Sequence, residues 1–137
     1  MKYRRLENKD TKMIKTFLES YGSEFNSEHL TEFIKDKNNY GFIAKENDKI
    51  VGFIYGYSLL RPDGRYIFYI HSVDVLPEYR NKGIGKKLFK YMIEYLEKEK
   101  EIYKCFVLSE KGNTTAKKLY KKQTDKKYQL ICYEKIF

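Results

Sequence analysis

The segment from Val73 to Leu88, reading Val-Asp-Val-Leu-Pro-Glu-Tyr-Arg-Asn-Lys-Gly-Ile-Gly-Lys-Lys-Leu, constrains this chain more than any other. A β-rich run ends at Val75, Pro77 follows in a turn, and two glycines sit where a long amphipathic pattern begins. Ile84, Leu88, Met92 and Leu96 recur every four residues, with Tyr91 and Tyr95 widening the stripe, so the spacing predicts a helix from Ile84 to about Lys98. The first N–H groups of a helix lack intrahelical partners and lie at the positive end of its dipole, which suits them to a phosphate. Gly83 and Gly85 remove side chains that would hold phosphates away, and Arg80, Lys82 and Lys86 add charge-assisted bonds.

The flanking sequence predicts one sheet around this segment. Residues 2–6 read as a short first strand, and Asp10 as the N-cap of a helix to about Ser20 with Met13, Ile14, Phe17 and Leu18 as its stripe. Ser27 reads as the cap of a second helix carrying Leu30, Phe33 and Ile34. Tyr40 to Lys45 and Lys49 to Leu60 are β-rich runs joined at Asn47-Asp48, and Arg61-Pro62-Asp63-Gly64 is a turn before a strand from about Tyr66 to Val75. Beyond the long helix, Ile102 to Ser109 reads as a strand, Asn113 or Thr114 caps a helix to about Lys122, and Tyr128 to Phe137 reads as a closing strand. Strands joined first by hairpins and later through helices predict an α/β fold in which helices cover a mixed sheet.

A chain of 137 residues with 42% hydrophobic residues and 2 prolines is expected to form a single domain over residues 1–137. Its apolar runs fall well short of the roughly 20 residues of a membrane span, and no signal-type stretch follows Lys2-Tyr3-Arg4-Arg5. A cytoplasmic protein with no membrane partner is expected. Cys105 and Cys132 lie far apart in apolar segments with only His29 and His71 as companions, so buried thiols are expected and no metal.

The net charge of +9 is not spread evenly. Residues 80–90 and 111–127 together carry +11 and the rest of the chain −2. Such a field attracts a polyanion, whether a nucleic-acid backbone or a phosphate-rich small molecule. Opposite charge gathers in Glu24, Glu28, Glu32 and Asp36, spaced by four so that a helix would stack them on one face. They are either a solvated face or an electronegative rim for a cationic substrate.

Two familiar phosphate loops are excluded. The Ser or Thr of a P-loop is missing, and Leu88 stands at the third glycine position of the dinucleotide fingerprint. What remains, Arg80-Asn81-Lys82-Gly83-Ile84-Gly85 after Val73-x-Val75, resembles the Q/R-x-x-G-x-G/A signature of the GNAT superfamily of acyl-CoA-dependent N-acyltransferases. The later Asn113-x-x-Ala116-x-x-Leu119-Tyr120 is similar to that family's second motif, and the resemblance covers roughly residues 40–122. It implies a mostly antiparallel sheet with two strands splayed apart and an enzyme that transfers acetyl from acetyl-CoA to an amine, with no metal.

The resemblance further implies that the pyrophosphate lies on the backbone from Asn81 to Lys86, flanked by Arg80, and the pantetheine arm along Val73, Asp74 and Val75. Asn113 is similar to the asparagine that contacts the pantetheine, unless it is a plain helix cap, and Lys117 could approach the nucleotide end. Tyr120 matches the tyrosine that protonates the departing thiolate in many members, and the position of His71 resembles a histidine of arylalkylamine acetyltransferases, where it would be the general base. Ser72, Asp74 and Glu78 are alternative bases acting through water, and proton loss to bulk solvent is a further route. The resemblance departs after Tyr120, where Lys121-Lys122-Gln123-Thr124-Asp125 replaces a common Gly-Phe turn.

For the acceptor, the strand from Ile67 to Val75 looks like the aminoglycoside 3-N-acetyltransferase branch, although Ser72 stands where that branch has aspartate. Glu28 and Glu32 would then draw in a polycation such as an aminoglycoside or polyamine. Protein or peptide amino groups are the alternative acceptors, and a basic nucleic-acid-binding module is the alternative of a different class. No helix-turn-helix, RNA-binding aromatic motif or zinc finger supports the latter, so no nucleic-acid partner is expected. Oligomeric state is not legible, and a homodimer is compatible with the sequence.

Overall fold

The structure is a computed structural model that describes residues 1–137 apart from 23, 25, 100 and 101. Its elements are β1 (Lys2–Arg5), α1 (Thr11–Ser20), α2 (Ser27–Lys35), β2 (Asn39–Glu46), β3 (Lys49–Leu60), β4 (Tyr66–Val75), α3 (Ile84–Glu99), β5 (Ile102–Val107) and α4 (Thr114–Gln123). Asn8–Asp10 and Pro77–Tyr79 add single 3-10 turns before α1 and α3. The five strands form one sheet in the order β1-β2-β3-β4-β5, antiparallel except for the parallel pair β4–β5. Asn47 supplies the positive φ of 52° that the tight β2–β3 hairpin requires.

Helices cover both faces. On one side Phe17 of α1 meets Phe53 edge-on at 6.2 Å, and Phe33 of α2 meets Tyr55 at 5.8 Å and Tyr57 at 6.1 Å. On the other, Phe42 packs against Tyr91 and Tyr95 of α3, while Leu88, Phe89 and Met92 are fully buried. The four-residue repeat in α3 therefore faces the sheet, as its spacing predicts.

One irregularity sets the orientation of half of β4. Tyr55 pairs with Ser72 and Gly56 with Ile70, leaving His71 as an extra residue opposite the junction. Before this bulge Phe68 and Ile70 are buried and Tyr69 stacks on Tyr57. After it the alternation is inverted, so Ser72 and Asp74 lie opposite Tyr55 and Phe53 on the α1–α2 side, while Val75 faces α3. Gly56 makes this possible: a Cβ there would stand 2.1 Å from the Tyr69 carbonyl oxygen and 2.7 Å from the Phe68 ring.

Four expectations are corrected. Residues Tyr128 to Phe137 form no strand; every residue from Asp125 onward is exposed. In this position they gain neither ladder hydrogen bonds nor a packed face, and Cys132 is exposed with them while Cys105 is half-buried. The α2 cap is Asn26, whose side chain accepts from the backbone N–H groups of Glu28 at 2.9 Å and His29 at 3.2 Å, one residue earlier than Ser27. Asp10 does not cap α1 with its side chain, because a stronger partner claims the carboxylate. The Arg4 guanidinium donates to it in a fork at 2.7 and 2.6 Å, and the Glu7 N–H donates at 2.8 Å.

Asp10 is completely buried, and burial alone would raise its pKa. The Arg4 and Glu7 hydrogen bonds outweigh that effect and hold it below the ordinary carboxylate value. A lowered folded-state pKa contributes stability above the unfolded value, lost as pH falls through the folded one. Asp10→Ala removes the forked partner of the largely buried Arg4, leaving its guanidinium only the weaker Glu7 contact at 4.0 Å, and should cost about 3–5 kcal/mol at neutral pH. Urea unfolding should also show a shallower loss of stability on acidification in the variant than in the parent chain.

Candidate functional site

β4 is hydrogen-bonded to β3 from Tyr66 to Val75, but its pairing with β5 ends at Ile70 opposite Val107. Val107 is also the last residue of β5, so among the described residues no strand lies beside the edge of residues 71–75 on that side. The resemblance implies two strands splayed apart; here the edge is free because β5 stops at Val107 while β4 continues to Val75. This open edge along Val73, Asp74 and Val75 borders an opening, and its Val75 carbonyl accepts from Arg80 and Tyr21.

The opening ends at the basic loop. Leu76 N–H donates to the Val51 carbonyl at 2.9 Å, closing β4 onto β3, and the 3-10 turn carries the chain to Arg80. Asn81 and Gly83 both have positive φ, 61° and 77°, so the backbone alternates hand just before α3 and turns successive N–H groups toward one concavity. Sequence reasoning assigned the concavity to the glycines and missed that Asn81 shares the left-handed geometry. The signal was available, since asparagine tolerates that conformation better than most residues. The first α-helical bond here runs from Lys87 N–H to the Gly83 carbonyl at 3.1 Å. A Cβ on Gly83 would meet nothing within 4 Å, so the space above the loop is open.

Arg80, Asn81, Lys82 and Lys86 are exposed around this loop, whereas Ile84 is buried and only its backbone can take part. The Arg80 Nε donates to the Val75 carbonyl at 3.0 Å, tying the loop to the end of β4. That carbonyl also accepts from the Tyr21 hydroxyl at 2.5 Å. Tyr21 was not anticipated; its one clue is its position four residues after Phe17, whose ring it meets at 5.2 Å.

α4 forms the opposite wall. A Cβ on Gly85 would lie 3.7 Å from Leu119 and 3.8 Å from Val75, which fixes α4, α3 and β4 at close approach. The neighbouring Tyr120 is half-buried with its ring 6.1 Å from Phe89. Burial raises the Tyr120 pKa and the negative charge of Asp74 adds to it, so the hydroxyl stays protonated at neutral pH. Asn113 caps α4, its side-chain oxygen accepting from Ala116 N–H at 3.1 Å. The cleft between α3 and α4 is lined by Lys86, Lys118 and Lys122 rather than by Lys117.

On the α1–α2 side the opening has an aromatic wall. His71 stacks on Tyr55 at 5.0 Å and meets Tyr69 and Tyr57 edge-on at 5.8 and 6.4 Å. Burial pushes Tyr55 up to about 12, with smaller contributions from Tyr57, Asp74 and Tyr69. The Ser72 hydroxyl donates to the Asp74 carboxylate. Glu78 faces the other way, 3.4 Å from Lys49. The acidic row is shorter than its spacing predicts: only Glu28 and Glu32 lie within α2, because Glu24 precedes the cap and Asp36 ends the helix with extended backbone. Among the described residues, no group of three or more His, Cys, Asp or Glu side chains is placed to hold a metal ion.

The mixed sheet flanked by helices is a fold this chain shares with acetyltransferases of known structure. The Acetyltransferase (GNAT) family profile aligns with residues 11–124, and the chain belongs to that family. It is therefore an acetyltransferase whose chemistry is acetyl transfer to an amine. Among solved structures, an aminoglycoside acetyltransferase from an uncultured soil metagenomic sample, in complex with sisomicin, is similar at 25% identity and a TM-score of 0.87, covering 99% of this chain and 95% of its own. The aminoglycoside N-acetyltransferase AAC(6')-Iy in complex with CoA shares the fold at 16% identity and a TM-score of 0.78, with 98% of each chain covered. A ribosomal-protein-alanine N-acetyltransferase from Brucella melitensis biovar Abortus 2308 does so at 21% identity and 0.73, covering 97% of this chain and 100% of its own. No curated protein sequence matches the chain. No helix among the described residues is long and apolar enough to cross a membrane.

The open space above Gly83 yields a direct test of the loop. Gly83→Val forces a β-branched residue into the left-handed region and places bulk over the concavity, so acetyl-CoA affinity measured by calorimetry should largely disappear. An unchanged dissociation constant would remove the loop from the binding site.

Proposed function

We propose that this chain transfers the acetyl group of acetyl-CoA to a primary amine of a cationic small molecule, such as an aminoglycoside or a polyamine. The observation that carries the proposal is the free edge of residues 71–75, open between the basic loop and the aromatic wall. The residues present fit acetyl-CoA: an unfilled concavity of backbone N–H groups, lysines and Arg80 suit its phosphates, and an unpaired strand edge suits its peptide-like arm. Asn81 to Lys86 would hold the phosphates, with Arg80 alongside, and Val73 to Val75 the arm. Lys86, Lys118 and Lys122 extend the positive surface past the loop, with Lys117 and Asn113 at the start of α4. This assigns the basic stretches to a small polyanion rather than to nucleic acid.

Acetyl-CoA, when bound, supplies an activated thioester. Tyr120 is the proton donor to the leaving group, since burial and Asp74 keep its hydroxyl protonated until charge develops nearby. The amine must shed a proton before it attacks, and His71, with Ser72 and Asp74 beyond the bulge, offers acceptors on the α1–α2 side. Asp74 also places negative charge in the opening, which favours a cation.

Tyr120→Phe should lower turnover by about 10- to 1,000-fold while changing acetyl-CoA affinity little, because a proton donor acts in the transition state. Steady-state kinetics in a chemistry-limited assay, paired with calorimetry, separate the two. Normal turnover would return Tyr120 to the core beside Phe89.

Glu28 and Glu32 lie one turn apart on the helix that reaches the aromatic wall through Phe33. Replacing both with Gln should raise KM for aminoglycoside or polyamine acceptors, and raise it less at high salt, where screening already weakens the attraction. Wild-type kinetics at low salt with every cationic acceptor would reduce the pair to a solvated helix face.

A further inference from the structure

We propose that Tyr79 is a positioning residue for acetyl-CoA: its ring holds Lys82 at the basic loop, and its hydroxyl keeps Glu46 from neutralising that lysine. The inference rests on the proposed place of the phosphates along residues 81–86. Tyr79 closes the 3-10 turn Pro77–Tyr79, three residues before Lys82. It is half-buried and packs against the core, whereas its neighbours Glu78 and Arg80 are exposed. It is thus a fixed point on an otherwise solvated turn.

Two crossed contacts join this turn to the β2–β3 hairpin. The Tyr79 hydroxyl donates to Glu46 Oε2 at 2.6 Å, and the Lys49 ammonium donates to Glu78 Oε1 at 3.4 Å. Lys49 lies 5.5 Å and Lys82 5.4 Å from the centroid of the Tyr79 ring, so one ring carries two cations. The Glu46 hydrogen bond pushes the Tyr79 pKa up, and the hydroxyl remains a donor at neutral pH.

These contacts divide the charge around the loop. The carboxylates on the hairpin, at the end of β4 and in the turn are engaged by other groups: Glu46 by Tyr79, Asp48 by Lys45, Asp74 by Ser72 and Glu78 by Lys49. Lys82 makes no ion pair among the described residues; its contact is the ring. A tyrosine ring orients a cation without cancelling its charge, as a carboxylate would, so Lys82 keeps that charge for a phosphate. Glu46 and Lys82 meet the same ring, and a phenylalanine at position 79 would leave the Glu46 carboxylate without its donor and free to turn to the lysine.

Calorimetry with acetyl-CoA separates this role from that of a plain structural tie. Tyr79→Phe keeps the ring but releases Glu46, and should weaken binding by about 5-fold, the scale of one exposed charge pair. Adding Glu46→Gln to that variant should restore affinity to within about twofold of the parent chain, although the tie between hairpin and turn is still missing. In a Lys82→Gln chain, Tyr79→Phe should change affinity no further. Unchanged binding in Tyr79→Phe, a loss that Glu46→Gln does not restore, or a loss that persists in Lys82→Gln would each overturn the role of Tyr79. If Gly83→Val still abolishes binding in those cases, the loop keeps the phosphates and only the inference about Tyr79 falls. Parent affinity in both Lys82→Gln and Gly83→Val would instead take the whole loop, and Tyr79 with it, out of the cofactor site.

Discussion

The unequal pairing of β4 governs the rest of the molecule. Along β3 it is tied over its full length, and along β5 only as far as Ile70, so one strand serves both as sheet interior and as open edge. Unpaired backbone groups are costly when dry, which is why a fold tolerates them only where water or a ligand can reach. The ladder to β3 resumes beyond the bulge at His71 and holds the free half of β4 in the sheet. Leu76 anchors its end to Val51, and the turn at Pro77 then aims the basic loop across the opening. Loss of the β3 ladder would remove the edge, the loop and both walls together.

Charge is partitioned about that opening. Exposed cations ring the entry of α3 and the α3–α4 cleft, while Asp74 sits among tyrosines whose burial keeps them neutral. Two substrates of opposite charge could therefore approach from different sides without competing for one field. The aromatic wall around His71 adds a flat, weakly polar surface on the α1–α2 side.

Much of this was legible in the residues. The α3 repeat, the Asn47-Asp48 hairpin and the Arg80 to Gly85 motif are local features, encoded by periodicity and turn chemistry over a few positions. What escaped was decided at longer range or by competition between partners. Asp10 has every local credential of a cap, but Arg4 offers a forked hydrogen bond that a backbone N–H cannot match. The acidic row has a perfect four-residue spacing, yet the cap at Asn26 and the extended backbone of Asp36 exclude its two ends from the helix. Tyr128 to Phe137 has the composition of a strand, but a strand also needs a partner edge, which composition does not supply, and the segment lies exposed.

Gly56 and His71 act as a unit. In the sheet, side-chain direction is a two-valued phase carried along the strand, and the bulge advances that phase by half a period in its middle. Everything upstream is phased for the core, with Phe68 and Ile70 inward; everything downstream is phased for chemistry, with Ser72 and Asp74 beside the aromatic wall. A one-residue deletion here would act as a frameshift in space: the sequence after it would be unchanged, but valines would line the α1–α2 side and a carboxylate would turn toward α3. The glycine that lets the Tyr69 carbonyl approach is thus a punctuation mark, separating the part of the strand that is read as fold from the part that is read as site.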